Sequence, residues 1–164
     1  MKSILFIRHA KSSWDSPTLK DFDRPLNERG NKDAPMMAKR LLDKKINIDV
    51  FISSPAVRAL TTATYFHHSY KAKKDQLITI PALYHASVDV FLEVIKQLDN
   101  KYDSVALFSH NPGITNMANS LGVAKVDNMP TCSIFGVQAD VNNWKQFEAA
   151  IKQFWLFDYP KQAQ

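Results

Sequence analysis

The chain has 164 residues, 45% of them hydrophobic and 23% charged, which fits one compact domain over residues 1–164 and excludes a disordered or multidomain protein. Its single cysteine, Cys132, excludes an internal disulfide, a CxxC redox pair and a multi-cysteine zinc site, and points to the cytosol. The net charge of +5 is uneven, because residues 1–60 carry 12 Lys and Arg against 7 Asp and Glu, whereas residues 61–164 balance. Nucleic acid, an acidic surface or a phosphorylated substrate would each attract such a surplus.

The N-terminal apolar run Ile4-Leu5-Phe6-Ile7 is too short for a signal sequence or a membrane span and predicts a first strand buried on both faces. Residues 9–26 are polar and contain Pro17 and Pro25, which predicts a long loop, and long loops in small domains usually carry function. Asn27 then caps a helix whose apolar positions Ala34, Met37, Ala38, Leu41 and Leu42 recur at helical spacing. Asp49–Ser53 reads as a second strand, with Ser54 as the cap and Pro55 as the first residue of a helix reaching Tyr70.

Leu77–Ile80 is a short third strand, and Ser87 caps a helix to about Asn100 with Val90, Phe91, Val94, Ile95 and Leu98 on one face. Ser104–Ser109 is a fourth buried strand, and Asn111-Pro112 opens a helix ending at Gly122. Ser133–Ala139 and Ala149–Phe157 read as an antiparallel pair at one edge. Alternating strands and helices up to residue 122 predict a mostly parallel sheet covered on both faces, an α/β fold. The four glycines form neither GxGxxG nor GxxxxGK[ST], which argues against dinucleotide and P-loop chemistry.

In an open parallel sheet, ligands bind beyond the carboxyl ends of the strands. Arg8 and His9 follow the first strand, Ser53, Ser54 and Arg58 the second, and His110 and Asn111 the fourth. Two arginines and two histidines thus reach one rim, beside helix ends whose free N–H groups favour an anion. Each residue alone has a bland reading, as a surface cation or a hydrogen-bonded structural histidine; their convergence points to phosphate. His67 and His68 are adjacent but lack a third ligand for a metal.

These residues sit in four blocks: Leu5-Phe6-Ile7-Arg8-His9-Ala10-Lys11-Ser12-Ser13-Trp14, Asp23-Arg24-Pro25-Leu26-Asn27-Glu28-Arg29-Gly30, Ser53-Ser54-Pro55-Ala56-Val57-Arg58-Ala59-Leu60-Thr61-Thr62-Ala63 and Ser109-His110-Asn111-Pro112. In order and spacing they resemble the histidine phosphatase superfamily, and within it the compact SixA-type phosphohistidine phosphatases. Pro130-Thr131-Cys132-Ser133 and Tyr159-Pro160-Lys161 share the likeness. The resemblance implies a phosphoglycerate mutase-like α/β/α sandwich, with His9 as the phosphorylated nucleophile, Arg8 and Arg58 gripping phosphoryl oxygens and His110 completing the pocket. Ser12 and Asn111 are further candidate substrate contacts.

The chain departs from the wider family in carrying Ala10 after Arg8-His9, and no carboxylate in Leu83-Tyr84-His85, where phosphomonoesterase members place their proton donor. An alkoxide leaving group needs such an acid, whereas an imidazole leaving group, whose conjugate acid has a pKa of about 6.5, needs less help. Asp15, Asp21, Asp23 and His85 are the remaining candidate donors.

The expected function is therefore hydrolysis of phosphohistidine on a signalling or phosphotransfer protein, with no metal, cofactor, nucleic acid or membrane partner. A small phosphorylated metabolite is the alternative substrate, acted on by a broad phosphomonoesterase. A non-catalytic phosphate-binding module is the alternative of another class. Lys11 and Lys20 are candidate contributors to an anion-attracting entrance.

Overall fold

The computed structural model describes all residues, Met1–Gln164. Six strands, β1 (Lys2–Arg8), β2 (Val50–Ser53), β3 (Leu77–Thr79), β4 (Ser104–Ser109), β5 (Ile134–Ala139) and β6 (Lys152–Asp158), form one sheet in the order β3-β2-β4-β1-β5-β6. The first four run parallel, β5 runs antiparallel to β1, and β6 pairs antiparallel with β5 at the edge. The parallel part is what the alternation of elements up to residue 122 implies, and the antiparallel edge is the pair expected of the last two strands.

Four helices cover the sheet: α1 (Glu28–Asp43), α2 (Val57–Ser69), α3 (Val88–Lys96) and α4 (Gly113–Ser120). Successive strand residues point to opposite faces, so β1 and β4 each feed two cores. Ile4, Phe6, Val105 and Leu107 pack with Phe91, Ile95, Ile114 and Met117 of α3 and α4. Leu5, Ile7, Ala106 and Phe108 pack on the other face with Met37, Leu41, Ala63 and Phe66 of α1 and α2. Full burial of each such side chain contributes about 1.5–3 kcal/mol relative to exposure.

Side-chain caps mark the starts of two of the four helices. Asn27 and Ser87 cap α1 and α3 as expected, their side chains accepting from the Gly30 and Val90 backbone N–H groups. Ser54 does not cap α2. Its hydroxyl accepts from the Ala56 backbone and pairs with His110, and the helix starts two residues later than predicted, with the Ala56 carbonyl accepting from Ala59 and Leu60. Likewise α4 begins at Gly113 without a side-chain cap.

The predicted extension of α3 to Asn100 is also corrected. The chain tightens after Lys96, where the Gln97 and Leu98 N–H groups bond carbonyls only three residues back. Leu42, expected on the buried face of α1, is 38% exposed. The 9–26 segment is a loop, as predicted, but an ordered one. It is pinned by an isolated bridge between Ser12 and Leu26 and holds a 3-10 turn at Asp21–Asp23.

Candidate active site

β4 lies between β2 and β1, and the registers Arg8 with Ser109 and Ser53 with Phe108 bring the carboxyl ends of all three strands level. A cavity of about 220 Å³ opens beyond them, lined by Arg8, His9, Lys11, Ser12, Trp14, Asp21, Arg24, Arg58, His85, His110, Asn111 and Thr131. The six expected site residues Arg8, His9, Ser12, Arg58, His110 and Asn111 all meet there. Of the candidate proton donors, Asp21 and His85 reach the cavity. Asp15 and Asp23 do not line it; both are exposed loop residues.

His9 is fixed by its backbone. Its N–H donates to the Ser109 carbonyl, and the Cys132 N–H donates to the carbonyls of both Arg8 and His9. Cys132 itself is fully buried, with a left-handed φ of 60°. The His9 ring nitrogen Nδ1 lies 2.7 Å from the Ala10 carbonyl. A carbonyl only accepts, so Nδ1 carries the proton, and Nε2 keeps its lone pair. Burial lowers the His9 pKa to about 3; the Ala10 carbonyl opposes that shift, and the charges of Arg58, Arg8 and Arg24 reinforce it. The imidazole is therefore neutral at neutral pH.

His110 sits 5.3 Å from His9 between ring centres, and its Nε2 pairs with the Ser54 hydroxyl at 2.8 Å. Burial first, then the neighbouring His9 and Arg58, lower its pKa to about 3. Burial and the Arg58 charge also push the Arg8 guanidinium down. Packed like charges of this kind are relieved by an anion. Arg8 Nε, Arg58 Nε and His110 Nδ1 are buried without a partner in the protein. The three residues line one cavity, and their cationic and imidazole side chains suit a phosphoryl group there.

Arg58 also has a partner that its place in the sequence did not reveal. Its guanidinium donates to the backbone carbonyl of Asp21 at 2.6 Å and to the Asp21 carboxylate at 2.9 Å, so Asp21 holds much of its fork. Partial desolvation pushes the Asp21 carboxyl up, but hydrogen bonds from Tyr84 and Arg58, with the Arg58 charge and Arg24, outweigh it. The carboxyl stays far below the usual range. Asp21 is an ionised brace for the arginines and unsuited to donating a proton at neutral pH.

Arg24 is the functional candidate that sequence reasoning missed. Only 7% exposed, it donates to Ser12 Oγ at 2.7 Å and to Asp21 Oδ1 at 3.2 Å, and its guanidinium stacks on Trp14 at 3.5 Å. Its signal was its place inside the Asp23-to-Gly30 block. Lys11 also lines the cavity, whereas Lys20 does not.

A family model described as the histidine phosphatase superfamily (branch 1) matches residues 4–91, a span containing Arg8, His9 and Arg58. The chain belongs to the histidine phosphatase superfamily. An uncharacterized chloroplastic protein of Arabidopsis thaliana is 29% identical over 157 residues, covering 88% of this chain and 70% of that one. The histidine phosphatase fold here is similar to that of the protein histidine phosphatase SixA complexed with tungstate. The TM-score is 0.80 at 22% identity, over 96% of this chain and 97% of that one. It is also similar to a phosphoserine phosphatase variant of Entamoeba histolytica bound to phosphoserine. There the TM-score is 0.70 at 15% identity, over 98% of each chain.

Proposed function

We propose that this histidine phosphatase hydrolyses phosphohistidine on a protein, through a covalent phosphoenzyme formed on His9. The observation that carries the proposal is the His9 ring, tied by Nδ1–H to the Ala10 carbonyl and neutral at Nε2 within a cluster of arginines. In the first step Nε2 attacks phosphorus, and the bond to the leaving nitrogen breaks. The phosphorylated ring keeps its Nδ1 proton and is an imidazolium. In the second step water attacks, and the ring departs as neutral imidazole, a good leaving group. Arg8, Arg24, Arg58 and His110 stabilise the equatorial oxygens, which is the larger part of what phosphoryl transfer requires.

Two features favour a P–N bond over an ester. Asp21, the one carboxylate in the cavity, is held ionised by its partners, so an ester must draw its proton from another group, whereas an imidazole already protonated on its other nitrogen leaves without one. The site also opens directly to the surface, with Trp14 73% exposed at its edge, and the Tyr70–Leu77 link is brief, which suits a protein-borne phosphoryl group.

The test compares phosphate release from a phosphohistidine protein, 4-nitrophenyl phosphate and phosphoserine. The expected result is a higher kcat/KM on the phosphohistidine protein and an acid-quenched phosphoenzyme that His9→Asn cannot form. A clear preference for the esters overturns the substrate, and turnover by His9→Asn overturns the nucleophile.

A further inference from the structure

His85 occupies a position that neither the phosphoryl contacts nor the core requires. It is the second residue past the 3-10 turn Pro81–Leu83, with its side chain 55% exposed and a left-handed φ of 54°. Strained conformations of this kind persist where the surroundings impose them, and they cluster at functional sites. Here the surroundings are specific. His85 Nε2 lies 3.4 Å from Asp21 Oδ2, its ring stacks against Tyr84 with centres 4.0 Å apart, and its centre is 5.7 Å from that of His110.

His85 also stands between two cavities. One side is the phosphate site, and the other is a groove of about 250 Å³ shared with Ser87, Asn111 and Asn116. His85 and Asn111 belong to both. The groove contains no lysine or arginine, so it suits a neutral polar leaving group such as an imidazole or alcohol and does not suit a second phosphate. A group bridging from bound phosphate into the groove passes His85.

We infer that His85, whose Nε2 lies beside the Asp21 carboxylate, is the catalytic residue that delivers a proton, from Nδ1, to the leaving atom. The inference rests on the His9 phosphoenzyme and adds the missing acid. As phosphorus bonds to His9 Nε2, the bond from phosphorus to the leaving oxygen or nitrogen breaks, and that atom takes the proton of the His85 imidazolium. His85 is left neutral. When water attacks the phosphoenzyme, His85 accepts one water proton, hydrogen phosphate leaves, and both His9 and the His85 imidazolium are restored. Ionised Asp21, which cannot supply the proton, stabilises the imidazolium that does. A phosphohistidine whose ring already carries a proton on its other nitrogen needs this help least. An ester with a basic leaving group needs it most.

The experiment is a leaving-group series from 4-nitrophenyl to phenyl and alkyl phosphates, with His85→Asn, which tolerates a left-handed backbone. General acid catalysis is worth about 10²–10⁴-fold where it operates. The loss of kcat/KM is expected to be at least about tenfold larger for phenyl than for 4-nitrophenyl phosphate, so the dependence on leaving-group pKa steepens. His85→Gly, equally suited to the positive φ, is expected to regain phenyl phosphate turnover when free imidazole is added. A uniform loss across the series, or no rescue by imidazole, overturns the assignment. Absence of a phosphoenzyme in the parent protein overturns instead the His9 nucleophile on which the assignment rests.

Discussion

His9 and His110 are kept neutral by burial, so each trades stability at acid pH for a usable lone pair. With folded pKa values of about 3 against 6.5 in the unfolded chain, protons bind the unfolded state preferentially between those limits. Stability is therefore complete above about pH 6.5 and falls as pH drops toward 3, by about 1.4 kcal/mol per pH unit for one such histidine. Asp21 adds nothing to this window, because its carboxyl is ionised in both states above about pH 4. Urea denaturation between pH 7 and 4.5 is expected to show the decline, and His9→Asn and His110→Asn are each expected to flatten it. A profile unchanged in both variants would contradict neutral burial. Sequence showed which residues meet, since Arg8, His9, Arg58 and His110 all follow strand ends. It could not show that Arg58 is clasped by Asp21 or that Arg24 turns inward. Both depend on how the 9–26 loop folds back, and no periodicity encodes that path.

Among the elements, α1 is joined to the site through its first turn. A Cβ on Gly30 would lie 2.1 Å from the Lys11 carbonyl oxygen, and the Asn27 N–H donates to that same carbonyl at 3.0 Å. The helix start and the site loop are thus packed backbone to backbone, and only glycine fits. Gly30→Ala is expected to cost about 1–3 kcal/mol in urea denaturation, as overpacking does. It is also expected to raise KM, because Lys11 and Ser12 line the cavity. Retained stability and KM would show that the loop yields freely. The strands and the Asn27 and Ser87 caps were readable, being local signals of alternation and hydrogen bonding. The start of α2 was not, because Ser54 had a second use: its hydroxyl serves His110, a residue 56 positions away.

At the scale of the whole molecule, two cores clamp a sheet whose carboxyl edge carries the candidate site. The excess positive charge of residues 1–60 is partly concentrated there, with Arg8, Lys11, Arg24 and Arg58 facing one cavity against the single carboxylate of Asp21. The α/β class was legible because β1, β2 and β4 are continuous apolar runs, as strands covered on both faces must be. The two C-terminal strands were legible only as a pair, since β5 docks against β1, more than a hundred residues away in the chain.

Cys132, whose N–H ties down the Arg8 and His9 carbonyls, gives the whole protein a further property. Burial pushes its thiol well above the ordinary range, and no solvent reaches it. With the sole sulfhydryl sealed and the proposed nucleophile an imidazole, turnover is expected to be indifferent to electrophiles and oxidants that silence thiol-dependent phosphatases. N-ethylmaleimide should leave both intact mass and activity of the native protein unchanged, and label one site after unfolding. Inactivation tracking a single adduct on the folded chain would contradict this. Dephosphorylation by such an enzyme would persist through oxidative stress while thiol-based signalling around it is interrupted.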